Sequence, residues 1–262
     1  MTLVESTVVE SVMTITLCDE ERRNALSAQL CSELLDAIDE AEGNDHVRVV
    51  VVTNRGTVFC AGANLAERSK VEEPAGERRV EFSELFRRIS ASPKPFVGRL
   101  NGHCVAGGVG LAAVMDISVA VDSAKFGFTE VRVGVAPAII SVVCLPKMRL
   151  GDAKSAFLRG QRFSAADAAA MGLITKSVAS GELDHEIEAV VNDLLAGEPH
   201  AIAASKQLTN FVPTMSSEDA FVWTAALSQS FFATDEAIEG MTAFLEKRPA
   251  SWVRKVSNDP TS

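Results

Sequence analysis

The chain has 262 residues, of which 47% are hydrophobic, and its formal net charge is −10 at pH 7. This length and composition predict one large globular domain, or one domain with a small appendage, around a sizeable core. The acidity argues against a nucleic-acid footprint and a polybasic membrane patch, and leaves open a local basic pocket for a phosphorylated ligand.

The first half of the chain alternates strand and helix patterns. Two β-branched runs, 12–17 and 47–53, flank a segment with helical spacing, for which Ser27 is the predicted N-cap and Gly43 the predicted end. After a loop, the pattern predicts a helix over 77–91, a buried strand in "FVGRL", a glycine-rich stretch leading into a helix, and a strand in "DISVAVD". The repeated units predict an α/β core.

Beyond Leu150 the pattern becomes helical, and two Ser-x-x-Asp boxes, at Ser164 and Ser216, predict helix starts. The run 217–247 reads as a helix with large apolar residues on more than one face, which include Phe221, Trp223, Phe231, Phe232 and Phe244. Such a helix packs against a second surface, for which another subunit is one candidate.

Two loops of small residues follow predicted strands, "VFCAGANL" at 58–65 and "CVAGGVGL" at 104–111. Small residues let backbone N–H groups approach a ligand, as in an oxyanion hole or a phosphate nest, although a tight loop without a ligand is an equal alternative for the first one. The second runs into a helix, whose N-terminus favours negative charge. The two loops could converge on one ligand.

The second loop also imitates a dinucleotide fingerprint, because Gly108, Gly110 and Ala113 fit G-x-G-x-x-[GA]. In that motif the glycines follow their strand at once, whereas "NGHCVAG" intervenes here. We therefore expect no nicotinamide or flavin cofactor.

Glu130 lies in the stretch "FGFTEVRVGVAPA", where its neighbours are mostly apolar. Loss of solvation there would raise its pKa towards the range useful for proton transfer. The residues expected to bury it are Phe126, Phe128, Val131 and Val133. An exposed ion pair with Arg132 is the alternative, and the spacing does not choose between the two.

The cysteines are widely spaced, with no Cys-x-x-Cys pair and no histidines nearby: Cys18, Cys31, Cys60, Cys104 and Cys144. This argues against a zinc site or a disulfide framework, so we expect no metal and a cytoplasmic location. No apolar run approaches the roughly 20 residues of a spanning helix, and the first residues carry acids where an export signal is basic. We expect neither export nor a membrane partner.

Ordered motifs give the chain a family resemblance from about residue 10 to about residue 250. The segments "FCAGANL", "SPKPFVGRLNGHCVAGGVGLAAVMDISVAVDSAKFGFTEVRVG", A-x-x-x-G-L at 168–173 and "EGMTAFLEKRP" resemble the crotonase superfamily of enoyl-CoA hydratases and isomerases. The stretches "FTEVRVGVAPAIIS" and "GGVGL" are closest to hydratases of branched glutaconyl-type thioesters, the methylglutaconyl-CoA type.

The resemblance implies an α/β fold, a crotonase-like spiral of ββα units with a helical C-terminal trimerisation region. On this basis we divide the chain into a core with the acyl-CoA site, residues 1–195, and a helical region for oligomerisation and CoA contact, residues 196–262. It also implies a homotrimer or a hexamer built from two trimers, and an acyl-CoA thioester substrate. Coenzyme A is then part of the substrate, and no separate cofactor is expected.

The resemblance further implies the site residues. The backbone N–H groups of Ala63 and Gly107 would hold the thioester oxygen, and a fixed donor of this kind contributes typically about 3 kcal/mol. Glu130 would be the catalytic acid/base. The implied CoA and substrate contacts are Arg23, Ala25, Ala61, Asn64, Leu65 and Gly108, together with Phe244 and Lys247 of a neighbouring subunit. The acyl pocket is expected within 66–90 and 136–143.

One departure from the family pattern divides the functional hypotheses. Two-carboxylate hydratases carry one glutamate at the position of Glu130 and another three residues after the oxyanion glycine, where this chain has Gly110. We rank an enoyl-CoA hydratase with one carboxylate first and a Δ3,Δ2-enoyl-CoA isomerase second. An acyl-CoA-binding subunit without turnover is the third hypothesis, and a CoA-ester hydrolase or decarboxylase stays open because an oxyanion hole serves many reactions.

Overall fold

The computed structural model of the protein describes residues 2–64, 67 and 82–254. Within them the strands are β1 Val4–Val9, β2 Val12–Leu17, β3 Val49–Asn54, β4 Val58–Cys60, β5 Phe96–Leu100, β6 His103–Val105, β7 Ile117–Val121, β8 Lys125–Gly127, β9 Arg162–Ser164 and β10 Lys176–Val178. The large sheet has the order β1-β2-β3-β5-β7-β10, and the small sheet the order β4-β6-β8-β9.

The α-helices of the described residues are α1 Ala28–Gly43, α2 Phe82–Ala91, α3 Gly107–Val114, α4 Ala138–Cys144, α5 Leu150–Arg159, α6 Ala165–Ala170, α7 Leu183–Ala196, α8 Pro199–Phe211, α9 Ser217–Phe232 and α10 Asp235–Glu246. A 3-10 turn, Glu130–Val133, precedes α4. Of the predicted helix at 77–91, residues 77–81 lie outside the described part.

The chain steps repeatedly from the large sheet to the small sheet. β3 is followed by β4, β5 by β6 and β7 by β8, and neighbouring turns of this path pair in parallel within each sheet. Every residue of β3 is buried, as expected for a strand covered on both faces. The result is the α/β spiral of ββα units that was expected.

The first helix has the predicted ends. Ser27 Oγ accepts a hydrogen bond from the backbone N–H of Leu30 at 3.1 Å, which satisfies one of the free donors of the first turn. Leu34 and Ile38 continue the buried stripe of this helix, and the helix ends at Gly43.

The C-terminal run differs from the single helix that its sequence predicts. It forms two helices, because Thr234 Oγ1 accepts a hydrogen bond from the backbone N–H of Ala237 at 3.1 Å and so begins a new helix. Both predicted Ser-x-x-Asp starts are confirmed, at Ser164 and Ser216. The boundary between 195 and 196 stays a prediction.

A buried ion pair fastens α8 to the core. Lys206 Nζ lies 2.8 Å from Asp116 Oδ2, and it donates to the carbonyls of Ile89 at 2.9 Å and Lys94 at 3.1 Å. Burial lowers the pKa of Lys206, and the Asp116 carboxylate opposes that shift. All three hydrogens of the ammonium group are used, which is the condition for a buried lysine to be tolerated.

A second anchor joins the start of β3 to the segment after α10. Arg48 at the edge of β3 donates from Nη1 to the carbonyl of Trp252 at 2.6 Å and from Nη2 to the carbonyl of Gly197 at 2.5 Å. Trp252 Nε1 donates to the carbonyl of Ala196 at 3.2 Å. The segment after α10 is therefore held against the end of α7.

Candidate active site

The loop after β4 lies beside the loop before α1. The backbone N–H of Leu26 donates to the carbonyl of Gly62 at 2.7 Å, and that of Ala61 donates to the carbonyl of Arg23 at 3.1 Å. Leu26 and Ala63 form an isolated parallel bridge. The residues implied for the CoA end, 23–25, and those implied for the pantetheine arm, 61–64, therefore meet in the fold.

The loop after β6 turns sharply at Ala106, which has φ 51° and ψ −122°. A non-glycine residue with this backbone is strained, by about 1 to 3 kcal/mol. Gly107 follows as the first residue of α3, and Gly62 approaches so closely that a Cβ atom on it would lie 2.8 Å from Gly107 N. The two small-residue loops converge, as the sequence suggested.

Two backbone donors are free where the loops meet. Within the described part of the chain, neither the N–H of Ala63 nor that of Gly107 donates to a protein acceptor. A Cβ atom on Gly107 would lie 3.5 Å from Ala63 N, so the two donors are neighbours. Free N–H groups at the start of a helix suit an oxygen that gains negative charge.

Gly108 supports this geometry by packing. It is buried, and a Cβ atom on it would overlap the carbonyl oxygen of Cys60 at the end of β4. Only glycine allows α3 to approach β4 this closely. Direct contact of Gly108 with a ligand stays a prediction.

Glu130 is the first residue of the 3-10 turn, which ends at Gly134 in the left-handed conformation. Its Oε2 atom is buried and, among the described residues, has no hydrogen-bond partner. Burial raises the pKa of the Glu130 carboxyl. A partly desolvated carboxyl group with a raised pKa is suited to proton transfer.

The alternative for Glu130, an ion pair with Arg132, is wrong. Arg132 Nη2 donates instead to the carbonyl of Arg159 at 2.9 Å. The prediction of the residues that bury Glu130 is right for two of the four. Phe126 and Phe128 are fully buried, whereas Val131 and Val133 are exposed. The chain leaves the small sheet after β8 and forms a surface turn, which points the two valines outward.

Glu130 is connected to the converging loops through β8. The backbone N–H of Ala106 donates to the carbonyl of Gly127 at 2.9 Å, and Val105 pairs with Gly127 in the small sheet. Glu130 follows Gly127 by three residues. The strained turn and the carboxylate thus belong to adjacent strand ends.

The position of the missing second carboxylate is filled by an apolar wall. A Cβ atom on Gly110 would lie 2.5 Å from Ile140 Cγ2 and 3.0 Å from Phe86 Cε2. Ile140 comes from α4 and Phe86 from α2, and both are buried. The sequence shows that the carboxylate is absent, but it did not lead us to predict the packing of Ile140 and Phe86 at this position. The apolar run after Pro137 was the signal that could have indicated it.

The remaining implied residues are placed as follows. Arg23 has φ 56° in the left-handed region, Ala25 is buried, and Asn64 Nδ2 donates to Glu67 Oε1 at 2.9 Å. Leu65, and residues 66 and 68–81 of the expected acyl pocket, lie outside the described residues.

Phe244 and Lys247 lie at the C-terminal end of α10. Phe244 is 82% exposed on α10, and Lys247 caps that helix with φ 56°. Within the described structure, the Lys247 side chain makes no hydrogen bond to the loops at 23–26 or 61–64. Their contact with CoA from a neighbouring subunit stays a prediction.

Two kinds of feature are absent from the described residues. They contain no group of three or more His, Cys, Asp or Glu side chains placed to hold a metal ion. None of their helices combines the length and apolar character needed to span a membrane.

Comparison with known proteins gives a consistent result. A family model described as "Enoyl-CoA hydratase/isomerase" matches residues 7–255. The chain is 36% identical over 242 residues to a Thermus thermophilus protein whose name assigns it provisionally to the enoyl-CoA hydratases, covering 91% of this chain and 96% of that one. It is 33% identical over 238 residues to the crotonyl-CoA hydratase of Syntrophomonas wolfei, covering 88% and 90%.

A solved structure agrees with these relatives. The crystal structure of an enoyl-CoA hydratase from Mycobacterium smegmatis superposes with a TM-score of 0.85 at 31% identity, covering 95% of this chain and 98% of that one. The overall spiral is therefore shared with solved relatives.

Proposed function

This chain belongs to the enoyl-CoA hydratase/isomerase family, and we propose that it is an enoyl-CoA hydratase, which adds water across the 2,3 double bond of an acyl-CoA thioester. The observation that carries the proposal is the Glu130 carboxyl group, whose Oε2 atom is buried and has no hydrogen-bond partner in the described structure, three residues after the end of β8, the strand that neighbours the loop with the Gly107 donor. The names of the relatives favour hydration over the other reactions of the family.

The reaction begins with the thioester oxygen between the N–H groups of Ala63 and Gly107. Their hydrogen bonds withdraw electron density from the double bond, so that C3 becomes electrophilic. The Glu130 carboxylate takes a proton from water as the water oxygen bonds to C3, and the electron pair of the double bond moves onto the thioester oxygen as an enolate. Glu130 then returns its proton to C2, which completes the addition of one water.

Glu130 therefore carries out both proton transfers, which two-carboxylate relatives divide between two groups. The wall of Ile140 and Phe86 leaves no room for a side chain on residue 110, so this position offers no second acid/base group. We expect hydration of simple straight-chain enoyl thioesters to be slow, and branched esters to be the better substrates.

The test is mass spectrometry of 2-enoyl-CoA and 3-enoyl-CoA esters, straight and branched, after incubation with the protein in oxygen-18 water. Gain of one labelled water by a 2-enoyl ester supports the proposal. The matched control is Glu130→Gln, for which we expect a loss of about 10²- to 10⁴-fold in rate, the usual contribution of a general acid/base. Equal rates for both proteins would remove Glu130 from the mechanism.

A Δ3,Δ2-enoyl-CoA isomerase is the second candidate, and the packed wall at Gly110 favours it. Isomerisation needs one group that takes a proton from one carbon and returns it to another, which a single Glu130 can do. In the same experiment, double-bond migration without mass gain indicates the isomerase. Acyl-CoA binding by calorimetry with no ester consumed indicates a subunit without turnover.

The remaining implied properties are parts of the same proposal. The CoA and substrate contacts are Arg23, Ala25, Ala61, Asn64, Leu65 and Gly108, with Phe244 and Lys247 supplied by a neighbour. The assembly is a homotrimer or a hexamer, which the exposed apolar side chains of α9 and α10 support. The cytoplasmic location rests on the cysteine spacing.

A further inference from the structure

The backbone N–H of Ala63 takes its direction from the loop before α1. Leu26 bonds twice to the loop after β4, since its N–H donates to the carbonyl of Gly62 at 2.7 Å and its carbonyl accepts from Asn64 N at 3.4 Å. In this parallel arrangement the residue opposite Leu26 is Ala63, which directs its own N–H and carbonyl away from Leu26. The place of the loop at 23–26 therefore sets the direction of the Ala63 N–H.

The side chain of Asn24 ties this loop to the start of β4. Its carboxamide Nδ2 donates to the carbonyl of Val58 at 2.8 Å and to that of Arg55 at 3.3 Å. Val58 is the first residue of β4, and the last one, Cys60, precedes the loop that carries Ala63. Asn24 thus adds a side-chain anchor at the start of the strand to the backbone contacts between the two loops.

Two features of Asn24 are unfavourable for stability. Its backbone is left-handed, with φ 51°, a conformation that asparagine tolerates better than most residues but less well than glycine. Its side chain is fully buried, and the Oδ1 atom has no hydrogen-bond partner among the described residues. A buried acceptor without a donor costs free energy, and costs of this kind cluster at functional sites.

The carbonyls that Asn24 binds do not depend on it for a donor. Asn54 Nδ2 lies 3.2 Å from each of the same two oxygen atoms, those of Arg55 and Val58. Asn54 is the last residue of β3, so these contacts stay within the connection from β3 to β4. What Asn24 adds is the connection to the loop before α1.

We propose that Asn24 is a positioning residue for the reaction, whose carboxamide holds the loop before α1 where Leu26 directs the Ala63 N–H at the thioester oxygen. Asn24 does not touch the ester itself, because its side chain is fully buried. Without the carboxamide, the loop is free to shift relative to β4 while Val58 stays bound to Asn54. This inference rests on the proposed function, from which the role of Ala63 as a donor is taken.

The first experiment measures the polarisation of a bound thioester and does not depend on turnover. Infrared difference spectra are recorded for butyryl-CoA with carbon-13 at C1, a saturated ester that has no double bond to hydrate or to move. Hydrogen bonds from Ala63 and Gly107 lower the stretching frequency of its carbonyl group below that of the free ester. For Asn24→Gly we expect this downshift to fall to about half of the wild-type value, because one of the two donors is displaced.

Glycine suits the test because it accepts the left-handed backbone, so that only the carboxamide is lost. The matched control is Thr53→Val, which removes the hydrogen bond from Thr53 Oγ1 to the carbonyl of Arg99 at 3.0 Å, in a groove that Ile187 of α7 also lines. We expect it to keep the wild-type downshift. Circular dichroism checks that both variants are folded. A wild-type downshift in folded Asn24→Gly overturns the proposal, and so does an equal loss in both variants.

A second variant decides the matter if Asn24→Gly does not fold. Asn24→Asp keeps the volume of the side chain and a residue type that tolerates the left-handed backbone. An aspartate offers at most one donor hydrogen in place of two, so we again expect a smaller downshift than in wild type. An unchanged downshift in this variant contradicts the positioning role.

Kinetic constants separate positioning of the donor from binding of CoA. With an ester that the wild type converts, we expect Asn24→Gly to lower kcat about 10- to 100-fold, the usual consequence of a misplaced catalytic group, with little change in KM. A higher KM with unchanged kcat would assign Asn24 to ester binding and overturn the proposal.

The infrared result also separates this inference from the proposed function. If the downshift falls as expected and no ester gains water, the positioning role stands and the proposed hydratase fails. If wild type and Asn24→Gly share one downshift and esters are hydrated, the positioning role fails and the hydratase stands. A wild type without any downshift removes the pair of donors, and both proposals with it.

Discussion

Gly110 of α3 and Ile140 of α4 touch so closely that the structure has no room for a side chain between them. A single Cβ atom on Gly110 would lie 2.5 Å from Ile140 Cγ2. The family position for a second catalytic carboxylate is thus occupied by hydrocarbon, with Phe86 on its other side. Replacing Gly110 by glutamate cannot restore a two-carboxylate site unless both neighbours are made smaller.

The packing at Gly110 predicts a stability difference between two glycines. Gly110→Ala forces Ile140 and Phe86 apart, and overpacking of this kind costs about 1 to 3 kcal/mol. Gly151→Ala, in α5, meets nothing within 4 Å, and we expect it to stabilise the protein by about 0.5 kcal/mol. Urea denaturation measures the free energy of unfolding of both variants. Equal changes in the free energy of unfolding for the two substitutions would show that Ile140 and Phe86 move apart without cost.

The environment of Glu130 predicts a pH-dependent effect on stability. Burial raises its pKa above the usual value of 4.5, so the folded protein holds this proton more tightly than the unfolded chain does. The stability contributed by the group is present at low pH and is lost as the pH rises through the raised pKa. The Glu130→Gln variant has no carboxyl group to ionise at this position, so it does not lose this stability as the pH rises.

We therefore expect the melting temperature of Glu130→Gln, relative to wild type, to be higher at pH 8 than at pH 4. Scanning calorimetry across this range measures the difference, and Glu182→Gln, at an exposed carboxylate, is the control. A difference that stays constant with pH would mean that Glu130 is well solvated.

The backbone at Ala106 predicts that glycine is more stable there. With φ 51° and ψ −122°, alanine is strained, and we expect Ala106→Gly to raise the free energy of unfolding by about 1 kcal/mol. The same substitution at Ala189, exposed within α7, should lower it by about 1 kcal/mol. Chemical denaturation of both variants checks this, and a loss of stability at both positions would refute the strain.

The Lys206 anchor predicts a large cost for a nearly isosteric substitution. Lys206→Met leaves the Asp116 carboxylate without its cation and two buried carbonyls without a donor, so we expect a loss of about 3 kcal/mol. Lys154→Met, on the exposed side of α5, should change stability by less than about 0.5 kcal/mol. A small effect at Lys206 would indicate that water replaces the ammonium group.

The predictable parts of the fold are those that neighbouring residues determine. Ser27 and Gly43 end a helix whose apolar spacing lies between them, and the small residues at 61–63 and 106–108 permit their loops whatever surrounds them. The short strands β4, β6 and β8 were missed because three residues are too few to show an alternating pattern. β1 was missed because it buries only its first residue.

The candidate site, like the fold, was predictable where it depends on residues that are close together in sequence. The position of Glu130 could be read, but the absence of its ion pair with Arg132 could not, because Arg132 donates to the carbonyl of Arg159, 27 positions away. The wall at Gly110 depends on Ile140, which a local pattern does not connect with it. These contacts are set by the packing of helices distant in sequence.

The hydrogen bond between Arg48 and Trp252 can form only late in the synthesis of the chain. Its acceptor, the Trp252 carbonyl, is 204 positions further along the chain. At a synthesis rate of about 5 to 20 residues per second, the guanidinium group waits about 10 to 40 s on the ribosome for that carbonyl. Without Trp252, Nη1 of Arg48 would lack this acceptor while Nη2 kept the carbonyl of Gly197, so this pair of hydrogen bonds is completed only after α10 has been synthesised.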